Sequence, residues 1–99
     1  MADHATLVSV VTMRPADGRE EELVRLLKEQ AGRAADIDGC FGAQVCRSRE
    51  DPGSITVISR WRDAAAADAY ADRPEYEQAR SAAEPLLTGQ AHTETLTPI

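Results

Sequence analysis

The sequence has few of the residues that usually build a large hydrophobic core. Leu, Ile, Val and Phe together number 18 of the 99 residues, and only four residues are aromatic. Alanine contributes 17 residues, so much of the other apolar surface is small. A chain of this length forms one domain, and a core this thin favours burial shared with a second copy. We therefore expect a single domain over residues 1–99 that forms a homodimer.

Positive charge is also scarce, with 11 Lys and Arg against 17 Asp and Glu, a net charge of −6 and a pI near 4.8. Binding to nucleic acid or to an anionic membrane needs clustered positive charge, so we expect neither partner. No apolar run approaches the ~18–20 residues of a transmembrane helix. The acidic start at residues 1–4 lacks the features of a signal peptide, and we expect a cytoplasmic protein.

The two cysteines, Cys40 and Cys46, fall within one predicted strand. Their Cα atoms would lie ~20 Å apart along that strand, which is too far for a disulfide. Neither cysteine forms a CxxC motif, and no histidine lies at a zinc-ligand spacing from them. We expect small buried thiols and no metal site.

The pattern of β-branched residues, turns and helical periodicity predicts the element order βαββαβ. Strands are expected at 6–13, 40–47 and 54–61, helices at 19–36, 64–71 and 74–87, and a last strand around Thr93, Thr95 and Thr97. This is the ferredoxin-like order, an α+β class with an antiparallel sheet. Since the helices cover one face of such a sheet, we expect the other faces of two copies to meet.

The second helical region is unusually rich in alanine, with Ala64–Ala67, Ala69 and Ala71. Small side chains there mean either that the helix approaches the sheet closely or that space remains for a ligand. We expect the space, as a cavity between the sheet and segment 64–87.

Four segments resemble a known family. They are Val10–Gly18, Asp38–Cys40, Arg47–Gly53 and Ser59–Asp63. Together they are similar to the antibiotic biosynthesis monooxygenase (ABM) family of dimeric α+β barrels, over roughly residues 6–96. The family includes oxygenases, haem degraders and isomerases, so the resemblance implies the fold more specifically than the activity.

The haem-degrading branch of that family uses an Asn, a Trp and an iron-ligating His. The corresponding positions hold Val11, Tyr70 and Arg80. A guanidinium stays protonated and cannot ligate iron. The resemblance therefore implies no haem, and we expect no cofactor.

The cofactor-free polyketide branch, which oxidises phenolic anthrones to quinones with O2 alone, is more similar to this chain. Its pocket Trp and its substrate-facing Arg correspond to Trp61 and Arg80, while its Asn, His and Tyr positions hold Val57, Cys46 and Ala67. The resemblance implies a small aromatic substrate and O2, with Trp61 stacking on the substrate and Arg80 stabilising its anion. His92 and Tyr70 are the candidate bases, and the expected substrate contacts are Tyr70, Tyr76, Val57, Cys46 and Val11.

Each candidate also has a purely structural interpretation. Trp61 fits as the largest core residue, and Arg80 as a solvated helix residue paired with Glu77 or Glu84. The tyrosines fit as core residues, and His92 as an exposed strand residue. If the pocket hypothesis holds, Trp61 and Arg80 point into one cavity.

Three functions remain open. The first, which we favour, is a cofactor-independent monooxygenase that acts on a polycyclic phenol. The second is a non-oxidative cyclase or isomerase on the same scaffold. The third is a dimeric module that binds a small molecule without catalysis.

Overall fold

The computed structural model describes residues 5–99, and the predicted element order βαββαβ is confirmed. The segment 1–4, where no signal peptide is predicted, lies outside the described residues. The elements are β1 (Leu7–Met13), α1 (Glu20–Gly32), a 3-10 turn (Ala34–Asp36), β2 (Cys40–Arg47), β3 (Ile55–Trp61), α2 (Ala64–Ala71), α3 (Pro74–Ala83), a second 3-10 turn (Glu84–Leu86) and β4 (His92–Leu96). No helix within residues 5–99 is both long and apolar enough to cross a membrane.

The first helix is shorter than the predicted 19–36. It ends at Gly32, a residue with low helix propensity, and the N–H of Arg33 bonds back to the carbonyl of Gln30 at 3.1 Å. The chain then continues as the separate 3-10 turn. The sequence prediction is wrong for this last turn because it extended the helical periodicity through the glycine.

The four strands form one antiparallel sheet in the order β2-β3-β1-β4. The two central strands, β1 and β3, are paired along their whole length from Leu7↔Trp61 to Met13↔Ile55. This arrangement is the predicted ferredoxin-like α+β fold.

The sheet has two different sides because successive side chains of a strand point in opposite directions. On the helix-facing side, Met13 and Ile55 pack with Leu23 and Leu27 of α1. On the other side, here called the open side, Thr12 and Thr56 share a hydrogen bond of 3.2 Å. The other open-side residues follow from the strand register: Val8, Val10, Ile58, Arg60, Gln44, Cys46, His92, Glu94 and Leu96.

The core on the helix-facing side divides into two clusters. The first, toward the C-terminal end of β1, contains Met13, Leu23, Leu27, Ile55, Ala83 and Leu86. The second, at the opposite end of the sheet, contains Ala34, Cys40, Trp61 and Ala66. Helix α1 and the second 3-10 turn cover the first cluster, and α2 covers the second.

Helix α2 lies very close to the sheet. Asp63 is its N-cap, since the Asp63 carboxylate accepts the N–H of Ala66 at 2.9 Å. Ala66 is only 7% exposed, and a Cβ added at Gly39 would lie 2.4 Å from the Ala66 Cβ. The small side chain of Ala66 therefore serves close approach. The space expected beneath the alanines lies elsewhere, because Ala65, Ala66 and Ala69 border an open recess whose other lining residues belong to loops or to α2 itself and not to the sheet.

The close approach predicts a specific cost for side chains at Gly39. Gly39 and Gly18 both have positive φ, 81° and 74°, but a Cβ at Gly18 would meet nothing within 4 Å. Gly18→Ala should lower the free energy of unfolding by about 1–2 kcal/mol through backbone strain alone. Gly39→Ala should lose about 1–3 kcal/mol more from overpacking against α2. Urea denaturation of both variants measures the difference, and equal losses would contradict the contact.

Candidate active site

Three of the four aromatic side chains form one cluster on the helix-facing side. The ring centroids of Trp61 and Tyr70 are 5.6 Å apart, and those of Tyr70 and Tyr76 are 5.5 Å apart in an edge-to-face arrangement. Such distances are typical of rings in direct contact. Trp61 is 5% exposed, Tyr70 is half-buried and Tyr76 is 37% exposed. The aromatic cluster, defined here as these three residues, therefore runs from the interior to the surface.

Trp61 is enclosed rather than open to a ligand. It packs with Ala34, Cys40 and Ala66 in the second core cluster. Its indole N–H donates to the Ser59 hydroxyl oxygen at 2.9 Å. The predicted stacking of a substrate on Trp61 is therefore not available in this structure, because the neighbouring side chains cover the ring. Ser59 is the polar group through which Trp61 can influence a ligand.

A row of hydroxyl side chains crosses the sheet between the two core clusters. Ser9 lies opposite Ser59 on one side and opposite Thr95 on the other, so all three face the helices. Opposed side chains in an antiparallel sheet have Cβ atoms about 4.5–5.5 Å apart. Ser9 and Ser59 are half-buried and Thr95 is exposed. This hydroxyl row, Ser9, Ser59 and Thr95, is a polar strip on a side that is otherwise apolar near the helices.

The residues of the hydroxyl row are not among the site residues predicted from the sequence. The sequence does contain a sign of the row, because alternate residues of a half-buried strand are usually apolar. Serine interrupts that pattern at Ser9, between Leu7 and Val11, and at Ser59, between Val57 and Trp61. Only the register shows that the two serines are neighbours.

Val11 and Val57, two of the expected substrate contacts, lie directly next to the hydroxyl row. They are opposite each other in the register, and both pack against the first core cluster. Both are half-buried. They form an apolar border of the row on the side away from Trp61.

Tyr70 is placed to donate a hydrogen bond rather than to take up a proton. Burial raises the pKa of its phenol above the ordinary value of 10.0, and the negative charge of Glu75 raises it further. The phenol is therefore protonated at neutral pH. The ring also borders a recess of about 200 Å³ that is open to solvent, together with Ile37, Arg62, Ala66 and Arg73.

Comparison with known proteins identifies the family. The sequence model of the family described as antibiotic biosynthesis monooxygenase matches residues 6–82. The chain belongs to this family. No curated protein matches the sequence significantly.

Solved structures show the same fold at low sequence identity. A Mycobacterium tuberculosis protein has 22% identity and a TM-score of 0.83, with 96% of each chain covered. A provisionally named antibiotic biosynthesis monooxygenase from Deinococcus radiodurans has 21% identity and a TM-score of 0.83, with 93% of this chain and 91% of that one covered. Another from Caulobacter crescentus has 19% identity and a TM-score of 0.84, with 98% and 92% covered. At these identities, the likeness shows the fold alone.

The arginine expected in the ABM pocket does not point into it. Arg80 has a side chain 56% exposed, with Nε 3.4 Å from a carboxylate oxygen of Glu77 and Nη1 3.8 Å from one of Glu84. The expectation that Trp61 and Arg80 share a cavity is therefore wrong in this structure. The physical reason is local, since the helix places carboxylates at i−3 and i+4 and both attract the guanidinium.

Two further candidates lie on the wrong side of the sheet. Cys46 pairs with Thr56, and His92 pairs with Thr12, so both are on the open side. They are at the two ends of a row across the four strands, about 14 Å apart at the usual strand spacing. Neither reaches the hydroxyl row of its own chain, and the prediction that they share a pocket with Val57 is wrong. His92 also cannot be the base for a ligand held there.

Metal ligation is not apparent in the part of the chain that the structure describes. Within residues 5–99, no three side chains among His, Cys, Asp and Glu are grouped as a metal site. Both cysteines are free thiols, Cys40 buried and Cys46 half-buried. Burial raises the pKa of the Cys40 thiol above 9.0, which keeps it protonated and unreactive.

The environment of Tyr70 predicts its alkaline titration. The tyrosinate absorbance of Tyr70 is the difference between the wild type and Tyr70→Phe. As the pH is raised, this absorbance should appear with a midpoint above pH 10.0. Below that pH, the folded and unfolded chains both hold the proton. Above it the unfolded chain loses the proton first, so this residue should lower the free energy of unfolding as the pH rises through the folded pKa. A midpoint at or below 10.0 would contradict the burial of the phenol.

Proposed function

We propose that this chain is a cofactor-independent monooxygenase that oxidises a polycyclic phenolic substrate to a quinone with O2. The observation that carries the proposal is the hydroxyl row beside the aromatic cluster on the helix-facing side of an ABM-family sheet. Hydroxyls and aromatic edges suit a flat ring system that carries several oxygen atoms. The family description supports the oxidative reaction class.

The reaction balances without a redox cofactor. A ring methylene and O2 give a ring carbonyl and one water, and the substrate supplies all four electrons. The first electron leaves most readily from the phenolate or enolate form of the substrate. The protein must therefore bind that anion and keep water from it.

Ser59 is the residue that we assign to the substrate oxygen. The indole N–H of Trp61 donates to the Ser59 oxygen at 2.9 Å, which occupies one of its acceptor positions. The hydroxyl proton of Ser59 is then directed away from Trp61, leaving it free to donate on the helix-facing side. Hydrogen bonds to an anionic oxygen are about twice as strong as neutral ones, and Ser9 directly opposite offers a second donor.

The substrate itself must be acidic under this proposal. Tyr70 keeps its proton at neutral pH, because burial raises its pKa. His92 lies on the open side, opposite to the hydroxyl row. A substrate that ionises near neutral pH, such as a phenol conjugated to a carbonyl, needs no protein base.

A non-catalytic binding module is the second candidate. The observation that favours it is the pairing of Arg80 with Glu77 and Glu84. Because Arg80 is occupied there, only neutral hydrogen-bond donors of the hydroxyl row remain to stabilise a substrate anion. Oxygen consumption separates the candidates, since a binding module consumes none, and a cyclase or isomerase turns over its substrate without O2.

Activity is tested with an anthrone and a hydroquinone in an oxygen electrode, with quinone absorbance followed in parallel. The wild type should consume one O2 per anthrone oxidised. Ser59→Ala should lower kcat/KM by at least tenfold, or ~1.4 kcal/mol, because the transition-state anion loses its oriented donor. Ser81→Ala is the matched control, since Ser81 is on the exposed side of α3 and bonds Glu77. Equal rates in wild type and Ser59→Ala would contradict the site.

The proposed enzyme is a homodimer joined through the open side. Four apolar residues, Val8, Val10, Ile58 and Leu96, lie there outside both core clusters, and Leu96 is 44% exposed. Arg60 and Glu94 lie on the same side and supply opposite charges that a two-fold axis can bring together. Burial against a second copy would give this thin chain a core on both sides of the sheet.

Sedimentation tests the dimer. The wild type should sediment at twice 10.7 kDa at micromolar concentration. Ile58→Arg should shift the equilibrium to monomer, because an unpaired charge would be buried at the centre of the interface. Gln78→Arg, the same change of charge on exposed α3, should remain dimeric. A wild type that is monomeric at this concentration would contradict the interface.

A further inference from the structure

We propose that the hydroxyl row selects its ligand by the spacing of the ligand's oxygen atoms, and that Thr95 is the specificity-determining residue. Ser59 binds an anionic phenol oxygen, Ser9 a ring carbonyl and Thr95 a second hydroxyl. All three oxygens lie on one long edge of a linearly fused polycycle. The inference rests on the proposed function for the position of the site, and it names the class of phenol that the site takes.

The hydroxyls of the row have hydrogen-bonding capacity that the protein does not use. On the open side, the neighbouring hydroxyls of Thr12 and Thr56 bond each other at 3.2 Å. In the row, Ser59 accepts one indole N–H, and within residues 5–99 the hydroxyls of Ser9 and Thr95 bond no other group. No side-chain oxygen in that part of the chain is buried without a partner. The unpaired hydroxyls of the row are therefore within reach of water or a ligand.

The sheet fixes the distances along the row. Ser59, Ser9 and Thr95 lie on the adjacent strands β3, β1 and β4, each directly opposite the next. Because neighbouring strands are ~4.8 Å apart, Ser9 lies midway between two hydroxyls that are ~10 Å apart. Backbone hydrogen bonds hold these intervals, so the row is a rigid set of donors rather than an adaptable one.

A linearly fused tricyclic ketone can match this spacing. When each terminal ring carries a hydroxyl on the edge that bears the central carbonyl, the three oxygens repeat at ~5 Å, the interval of neighbouring strands. The acidic phenol then lies at Ser59, the carbonyl at Ser9 and the distal hydroxyl at Thr95. The opposite edge, which carries the ring methylene that is oxidised, points away from the row.

The surroundings of the row suit a hydrocarbon that carries oxygens on one edge. The apolar pair Val11 and Val57 lies on one side of the row, and the pair Leu7 and Trp61 lies on the other. Exposure increases along the row from its half-buried inner end to exposed Thr95. The terminal ring at Thr95 therefore stays next to solvent, where its hydroxyl is bound with little cost of dehydration.

Binding of two isomeric anthraquinones tests the inference without turnover. In 2,7-dihydroxyanthraquinone, both hydroxyls and one carbonyl lie on a single edge, whereas 2,6-dihydroxyanthraquinone has its second hydroxyl on the opposite edge. Both compounds are already quinones, so the measurement needs no O2. Quenching of the fluorescence of the single tryptophan, Trp61, measures binding. The wild type should bind the 2,7 isomer about fivefold more tightly, which is the effect of one neutral hydrogen bond.

Three variants assign the preference to its residue. Thr95→Val keeps the shape of the side chain and removes the hydroxyl, so the two isomers should bind equally. Thr93→Val is the matched control, because Thr93 is equally exposed on the same side of β4 but lies opposite Val11. This control should keep the fivefold preference. Ser59→Ala should weaken both isomers to the same extent, since each has a phenol oxygen there.

The outcomes separate this inference from the proposed function. Equal binding of the isomers to the wild type, or a preference that survives in Thr95→Val, would overturn the inference and leave the oxygenase to the oxygen electrode. A preference that only Thr95→Val abolishes supports the inference even where no anthrone consumes oxygen, and the row then belongs to a binding module. Failure of both isomers to bind would overturn the row as a ligand site.

Discussion

The close contact of Ala66 in α2 with Gly39, in the turn that leads into β2, determines how the rest of the helix-facing side is arranged. Only a glycine allows the Ala66 Cβ to come this near, and the contact encloses Trp61 behind the helix. Helix α2 lies over one end of the sheet and α1 over the other. The hydroxyl row lies in the middle region, between the two core clusters. The same contact therefore stabilises the fold and defines the position of the candidate site.

The charges of the side chains near the hydroxyl row limit the reactions that the candidate site can support. The arginine nearest to the aromatic cluster along α3 is paired with two carboxylates of its own helix segment. The groups that line the hydroxyl row are neutral donors, and Tyr70 is held in its protonated form. Neutral donors stabilise an anion that is already formed but do not create it. For this reason, the substrate must itself be acidic, and Trp61 orients the hydroxyl of Ser59 that binds its anion.

Much of the fold could be predicted from the sequence because its signals are local. The β-branched runs that form the strands act within a few residues, as do the Asp63 cap and Pro74 at the starts of α2 and α3, and the predicted element order is confirmed. The site could be predicted only in part, because it depends on register and on distant contacts. Cys46 and Val57 belong to different strands, and only the pairing Val45↔Val57 shows that Cys46 faces the other way. The alanines of α2 are compatible with either close packing or an open space. The contact of Ala66 with Gly39, which is distant in the sequence, decides for close packing at that position.

Isotopic labelling shows whether the hydroxyl row, beside the tyrosines of the aromatic cluster, holds a phenolic substrate for direct reaction with O2. Purified protein is given an anthrone under isotopically labelled O2 in ordinary water, and the early product is analysed by mass spectrometry. We expect one labelled oxygen atom in the new quinone carbonyl and the second in water. A product that carries no label would contradict direct reaction with O2. Substrate that is bound and released unchanged would contradict catalysis altogether.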